Sequence, residues 1–132
     1  MIVVDTSALG AALVSWPPDR ALHERLAGEA ELHAPHLVDV EFLHVLRRLT
    51  QTDALGADRA EDARTDFTEL NLIRYPHEHL LDRMWELRHN LTAYDACFVA
   101  LSEVLGSPLV TADARLRDAP GHDAVVEVYA GR

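Results

Sequence analysis

The sequence predicts an α/β fold in which a mostly parallel central sheet is flanked by helices on both faces. Short β-branched runs alternate with helical segments along the whole chain, the order that buries a parallel sheet between helices. No internal repeat, low-complexity tract or linker interrupts this order, so residues 1–132 are expected to form a single domain, long enough for one continuous core. Two strands also run almost directly into an aspartate, and open sheets of this kind bind ligands beyond the carboxyl ends of their strands.

The elements follow in order. Ile2-Val3-Val4 is a β-branched run closing on Asp5 and reads as a buried strand. Thr6-Ser7 precede a helical segment, Ala8 to Val14, stopped near Pro17-Pro18. Asp19 to Ala27 is a second helix, with Ala21, Leu22 and Leu26 on one side and Gly28 as its stop. Leu32-His33-Ala34 forms a short strand before Pro35, and the clearest helix of the chain runs from His36 to Thr50. The acidic, Arg-laced segment Asp58 to Leu70 is a mostly solvated helix. Leu72 to Tyr75 is a strand and Glu78 to His89 a helix. Ala93 to Leu105 is a strongly apolar helix ended by Gly106, Pro108 to Thr111 a strand, and Asp113 to Arg117 a short turn or helix. Val125 to Val128 is the last strand.

Four acids stand out against this frame. Asp5 ends the first strand, and Asp113 follows Val110-Thr111-Ala112 after a later one; neighbouring strands would bring both to one sheet edge. Glu41 is the only charge in the i, i+4 row Leu37, Glu41, Val45, Leu49, flanked by Val40 and Leu46, which places it on the packed side of its helix. A buried carboxylate needs a cation, an arginine such as Arg48, or a raised pKa. Asp39 points elsewhere and reads as surface. Asp95 is the only acid in the first turns of the apolar helix. Each acid also has a purely structural reading. Asp5 and Asp113 suit helix caps, and Thr92 with Asp95 has the spacing of a capping box. One shared cause accounts for all four better than four separate ones. Hard oxygen ligands suit Mg²⁺ or Mn²⁺, which can turn a bound water into a nucleophile against a phosphodiester. The hydroxyls of Thr6, Ser7 and Thr111 lie beside these acids and are placed to orient ligands or water.

Four segments together, Met1 to Ala8, Ala34 to Glu41, Leu91 to Ala96 and Leu109 to Leu116, resemble the PIN-domain family, and within it the VapC-type toxins of bacterial toxin–antitoxin pairs. The resemblance spans essentially the whole chain, in the right order and spacing. It implies a PIN-like (Rossmann-like) sheet with central strand order 3-2-1-4 and acids clustered at the carboxyl edge. It also implies divalent-metal-dependent endoribonuclease activity on an RNA substrate, usually in a homodimer, held in check by a small VapB-like antitoxin that covers the site. Carried over by position, Asp5, Glu41, Asp95 and Asp113 are the acidic quartet, with Asp5 and Asp95 foremost as direct ligands. Thr111 matches the hydroxyl residue before the last acid. The family's further acid has no clear counterpart, because Arg115, Leu116 and Arg117 precede Asp118, which is left out of the site.

Composition narrows the alternatives. The net charge of -10 opposes unspecific adhesion to nucleic acid, so an RNA substrate should be selected rather than captured at large. All twelve basic residues are arginine; Arg47, Arg48, Arg115 and Arg117 are candidates for phosphate contacts, and Arg88 for an inhibitor's carboxylate. The single cysteine, Cys97, reads as a small buried hydrophobe, and the eight histidines lack a structural-zinc spacing. Trp16 beside Pro17-Pro18 suits either an exposed groove or a hydrophobic corner. No apolar run reaches the ~18 residues that span a bilayer and no signal peptide is evident, so a cytoplasmic location without membrane contact is expected. Two other functions compete. An aspartyl-phosphate mechanism at Asp5 would want a second aspartate where Ser7 stands, and a non-catalytic PIN-like protein-binding module would have little reason to keep four acids.

Overall fold

The structure, a computed structural model, describes residues 1–129. Its centre is a five-stranded, wholly parallel sheet: β1 (Val3–Val4), β2 (Leu32–Pro35), β3 (Leu72–Tyr75), β4 (Leu109–Thr111) and β5 (Val126–Val128), in the order β3-β2-β1-β4-β5. The expected central order is present, and β5 extends it beyond β4. The chain winds outward from β1 through β2 to β3, then returns across β1 to place β4 and β5. The strand order therefore reverses between β1 and β4, where open sheets form a ligand crevice. Both residues of β1 and all three of β4 are fully buried, as a sheet covered on both faces requires.

Helices α1 (Thr6–Leu13), α2 (Arg20–Ala27), α3 (Leu37–Gln51) and α4 (Ala57–Glu69) pack mainly on one another. A 3₁₀ turn (Glu78–Leu80) leads into α5 (Leu81–Glu86), which packs on α6 (Ala93–Leu105), and α6 lies along β1, β2 and β4. A short α7 (Ala114–Asp118) follows β4. The core runs through the sheet from Phe42 and Phe67 to Phe98 and Leu101. Gly106 ends α6 in the left-handed conformation (φ 61°), where a side chain would be strained.

Several elements differ from expectation for local reasons. Helix α1 begins at Thr6 rather than Ala8, because the Asp5 carboxylate accepts from the Ala8 amide (2.9 Å) and caps the helix two residues earlier. The segment predicted as one helix from Glu78 to His89 starts as a 3₁₀ turn and ends at Glu86. There the Leu87 carbonyl accepts from both Asn90 and Leu91, and the chain turns to bury Leu87 and Leu91. In α3 the buried row is Val38, Phe42 and Leu46, set by Phe42 stacking on Phe67 of α4 (ring centroids 4.4 Å apart). Glu41 and its row therefore lie at the rim of the packed side, and Val40, expected beside the packed row, is 69% exposed. Asp39 is no free surface acid: both its oxygens accept from Arg74 Nε (2.8 and 2.9 Å), tying α3 to β3. Among the described residues no helix is long and apolar enough to cross a membrane.

Candidate active site

The site begins with strand register. Val4 pairs with Val110, so the next residue of β1, Asp5, lies beside Thr111 at the switch point. Asp5 is only 6% exposed, and both its oxygens are engaged. Oδ1 accepts from the Ala8 amide (2.9 Å) and the Ser7 hydroxyl (2.8 Å), and Oδ2 accepts from the Thr111 hydroxyl (2.6 Å). The Thr111 oxygen in turn accepts from the Asp113 amide (3.0 Å), and Ser7 Oγ accepts from the Ala112 amide (3.0 Å). Two hydroxyls thus lock the end of β1, the start of α1 and the turn after β4 into one unit.

Three further elements deliver the other acids. Helix α3, entered from β2 through His36, brings Glu41 over the N-terminus of α1, where Glu41 Oε1 accepts from the Thr6 hydroxyl (2.6 Å). Helix α6 presents Asp95 in its first turn; Thr92 caps that turn by accepting from the Asp95 amide (3.1 Å). Asp113 caps α7, accepting from the Arg115 amide (3.0 Å). The capping readings of Asp5 and Asp113 and the shared-site reading are therefore compatible, since the cap bonds hold the carboxylates in place. Asp5, Thr6, Ser7, Glu41, Asp95 and Asp113 all line one groove of about 730 Å³, large enough for a small ligand rather than a lone ion. Thr111 lies fully buried beneath it.

The electrostatics are unbalanced. Burial pushes the Asp5 carboxyl up to about 6 against the pull of its three hydrogen bonds, and the Asp95 charge adds to the rise. Burial also raises Glu41, despite the Thr6 hydrogen bond, with a further push from Asp95. Asp95 is raised by burial and by the charge of Asp113. Asp113 alone is lowered, by the Arg115 guanidinium hydrogen-bonded to it. Among the described residues, Asp5, Glu41 and Asp95 have no basic partner. As the side chains stand, no three His, Cys, Asp or Glu groups among the described residues converge closely enough to enclose a metal ion. The donors nevertheless fit a hard divalent cation. A carboxylate has about four acceptor positions, so Asp5 keeps one on Oδ2, and Glu41 has only Oε1 engaged. A cation would offset three like charges that repel one another.

The other candidates divide. Arg48 and Arg115 line the groove, whereas Arg47 and Arg117 do not, and Arg117 pairs with the exposed Asp118 (3.1 Å). Arg88 stacks on Trp85, 4.4 Å from the ring centre. His33 is buried with Nδ1 2.7 Å from the Tyr75 hydroxyl. Cys97 is buried, and burial pushes its thiol up to about 11. Trp16 is 80% exposed, at the mouth of a separate cleft with Val14, Leu49 and Tyr129. The sequence reading missed the groove's walls: Leu37, Val40, His44, Val45, Tyr94 and Phe98. The spacing held a signal for Leu37, His44, Val45 and Phe98, because on a helix the positions three and four from Glu41 and Asp95 share their face, but none for Val40 and Tyr94.

The hydroxyl of Thr111 provides a direct check on this arrangement. Thr111→Val keeps the side-chain shape but leaves Asp5 Oδ2 and the Asp113 amide unpartnered. It is expected to lower stability by about 1–3 kcal/mol in urea denaturation, while Thr111→Ser stays near the wild type. Equal stability of the Val and Ser variants would show that the hydroxyl holds nothing.

A parallel sheet with acids gathered at its switch point defines a class, and comparison with known proteins agrees with it. The profile of the PIN-domain family matches residues 2–122, and the chain belongs to that family. Within the family it sits with the VapC type. It is 50% identical over 118 residues to the VapC ribonuclease Mb0985 of Mycobacterium bovis, covering 89% of this chain and 90% of that protein. It is 41% identical over 120 residues to ribonuclease VapC1 of Mycobacterium tuberculosis, covering 90% of each. FitAcB from Neisseria gonorrhoeae shares the fold with a TM-score of 0.71 at 14% identity, covering 96% of each chain. A chain of a toxin–antitoxin complex from Klebsiella pneumoniae does so with a TM-score of 0.65 at 17% identity, covering 98% of each.

Proposed function

We propose that this chain is a Mg²⁺- or Mn²⁺-dependent endoribonuclease that acts as the toxin of a toxin–antitoxin pair. The observation that carries the reading is three carboxylates, Asp5, Glu41 and Asp95, facing one groove from separate elements without a basic partner among the described residues. Its relatives' names, VapC ribonuclease and ribonuclease VapC1, support the reaction class. Asp5, Glu41, Asp95 and Asp113 would hold the ion, with Thr6, Ser7 and Thr111 fixing their carboxylates. A bound divalent ion supplies a water acidic enough to attack at neutral pH and offsets the charge that builds on the phosphate.

The chain's own residues supply the rest. Asp5 is held by hydrogen bonds on both oxygens, so its free acceptor position keeps one direction. Glu41 is pinned through Oε1, which leaves Oε2 to take the proton that the attacking water sheds. Arg48 and Arg115 offer the groove's positive charge to a phosphate, and the exposed Tyr94 ring lies beside Asp95, where a base can stack. A small antitoxin covering the groove is the natural inhibitor, a role supported by the Klebsiella neighbour, which was solved as a toxin–antitoxin complex. A homodimer and a cytoplasmic location belong to the same proposal.

The test is cleavage of a structured RNA by purified protein with Mg²⁺, Mn²⁺ or EDTA, beside Asp95→Asn. Activity that needs metal and is lost in the variant is the expected result. Activity that persists in both EDTA and Asp95→Asn would refute the mechanism. Metal binding without cleavage of any RNA would point to a protein-binding role for the fold.

A further inference from the structure

One contact in the groove is unlike the others. Among the described residues Asp113 is the only groove acid with a cation on it, and one residue covers both its oxygens. Oδ1 accepts from the Arg115 amide and from Arg115 Nε (both 3.0 Å), and Oδ2 accepts from Nε (3.1 Å) and Nη2 (2.6 Å). The side chain making this fork is 84% exposed and is held, among the described residues, by that one carboxylate. A carboxylate gripped on both oxygens by a guanidinium has little left for another cation. An exposed ion pair is also weak enough to be exchanged for one.

We propose that Arg115 is a built-in counter-ion: it occupies Asp113 while the groove lacks a divalent cation, and is released toward substrate phosphate when Asp113 turns to the cation. The proposal rests on the nuclease reading above. Its physical content is competition for one carboxylate. A guanidinium stays charged at any working pH, so only displacement clears it. Arg115 lines the groove wall beside Asp95 and Asp113, so a short swing leaves its charge where an RNA backbone would pass. Arg48, on the α3 wall, makes no ion pair among the described residues and has no comparable exchange to make.

The exchange predicts two effects of opposite sign from one substitution. Arg115→Met, which keeps length and removes charge, should tighten Mn²⁺ binding about three- to fivefold by calorimetry, the range an exposed ion pair allows. In the same protein the KM for RNA should rise about five- to tenfold with kcat within about twofold. The slope of log KM against log salt should fall by about 0.7, the signature of one lost phosphate contact on a single strand. Arg115→Lys keeps the charge without the fork and should tighten Mn²⁺ less while preserving the salt slope. Arg117→Met, outside the groove, serves as the control for charge alone. Unchanged or weaker Mn²⁺ binding in Arg115→Met, with normal metal binding by the wild type, would overturn the counter-ion role and leave the nuclease reading standing. A wild type that binds no Mn²⁺ and cuts no RNA would overturn both.

Discussion

Asp5→Asn is expected to abolish RNA cleavage, by on the order of 10³-fold or more, and to make the metal-free protein more stable. The two effects share one cause. Asp5 is nearly inaccessible and carries no ion pair among the described residues, so its charge is costly until a cation arrives. Burial raises its carboxyl from 3.8 to about 6, meaning that the folded protein holds this proton more tightly than the unfolded chain does. Stability from this group is therefore full below pH ~4, falls as pH rises through ~4–6, and stays lowest above that. A shift of this size corresponds to at most about 3 kcal/mol. Asparagine removes the charge but not the shape. Its amide nitrogen takes the place of Oδ2, since the Ala8 amide must keep an acceptor at Oδ1, and the Thr111 hydroxyl must rotate to receive it, so a gain of about 1–2 kcal/mol is expected at pH 7.5 in EDTA. Glu41 and Asp95 are raised by burial too, so their contributions to stability also grow on acidification, opposite in sign to that of the lowered Asp113. Melting curves in EDTA at pH 4 and pH 7.5 measure this directly, with the advantage of the variant disappearing at the lower pH. A variant less stable than wild type at pH 7.5 would mean that the Asp5 charge is already compensated without metal.

Phe42→Ala should cost about 3–5 kcal/mol, a large part of the ~5–15 kcal/mol that holds a domain together. Phe42 is fully buried and stacks almost parallel on Phe67, with an interplanar angle of 7°. Truncation removes the ring stacking between α3 and α4 and leaves a ring-sized void that the flanking Val38 and Leu46 cannot fill. The same stacking sets the face that α3 turns inward, and therefore the direction in which Glu41 leaves the helix. Activity should consequently fall even at temperatures where the variant remains folded, whereas Phe42→Leu should cost ~1–2 kcal/mol and retain most activity. Urea denaturation of both variants, read beside RNA cleavage at a temperature well below the transition, checks the two parts together. Full activity in a folded Phe42→Ala protein would separate core packing from the placement of Glu41.

What the chain determined locally could be read from residue order alone. The β-branched runs at Val3–Val4 and Leu109–Thr111, the stop at Gly106 and the apolar run of α6 specify their elements by steric preference and hydrophobic period, which act over a few residues. The four acids could be singled out because each sits where a charge is out of place against its neighbours. Tertiary structure decided the rest. The direction of Glu41 depended on Phe42 meeting Phe67, a partner 25 positions away in the chain. Asp39 became a structural ion pair only because β3 brought Arg74 beside it. The predicted helix at Glu78 to His89 was shortened by the burial of Leu87 and Leu91, a demand that comes from the core and not from helix propensity. Most of all, the bonds from the Thr111 hydroxyl to Asp5 and from the Ala112 amide to Ser7 depend on a parallel register between strands more than a hundred residues apart. Residue order can nominate charged groups, but only the packed sheet sets which of them share one groove, and burial there, reinforced by neighbouring charge, is what raises Asp5, Glu41 and Asp95 and creates the demand for a cation.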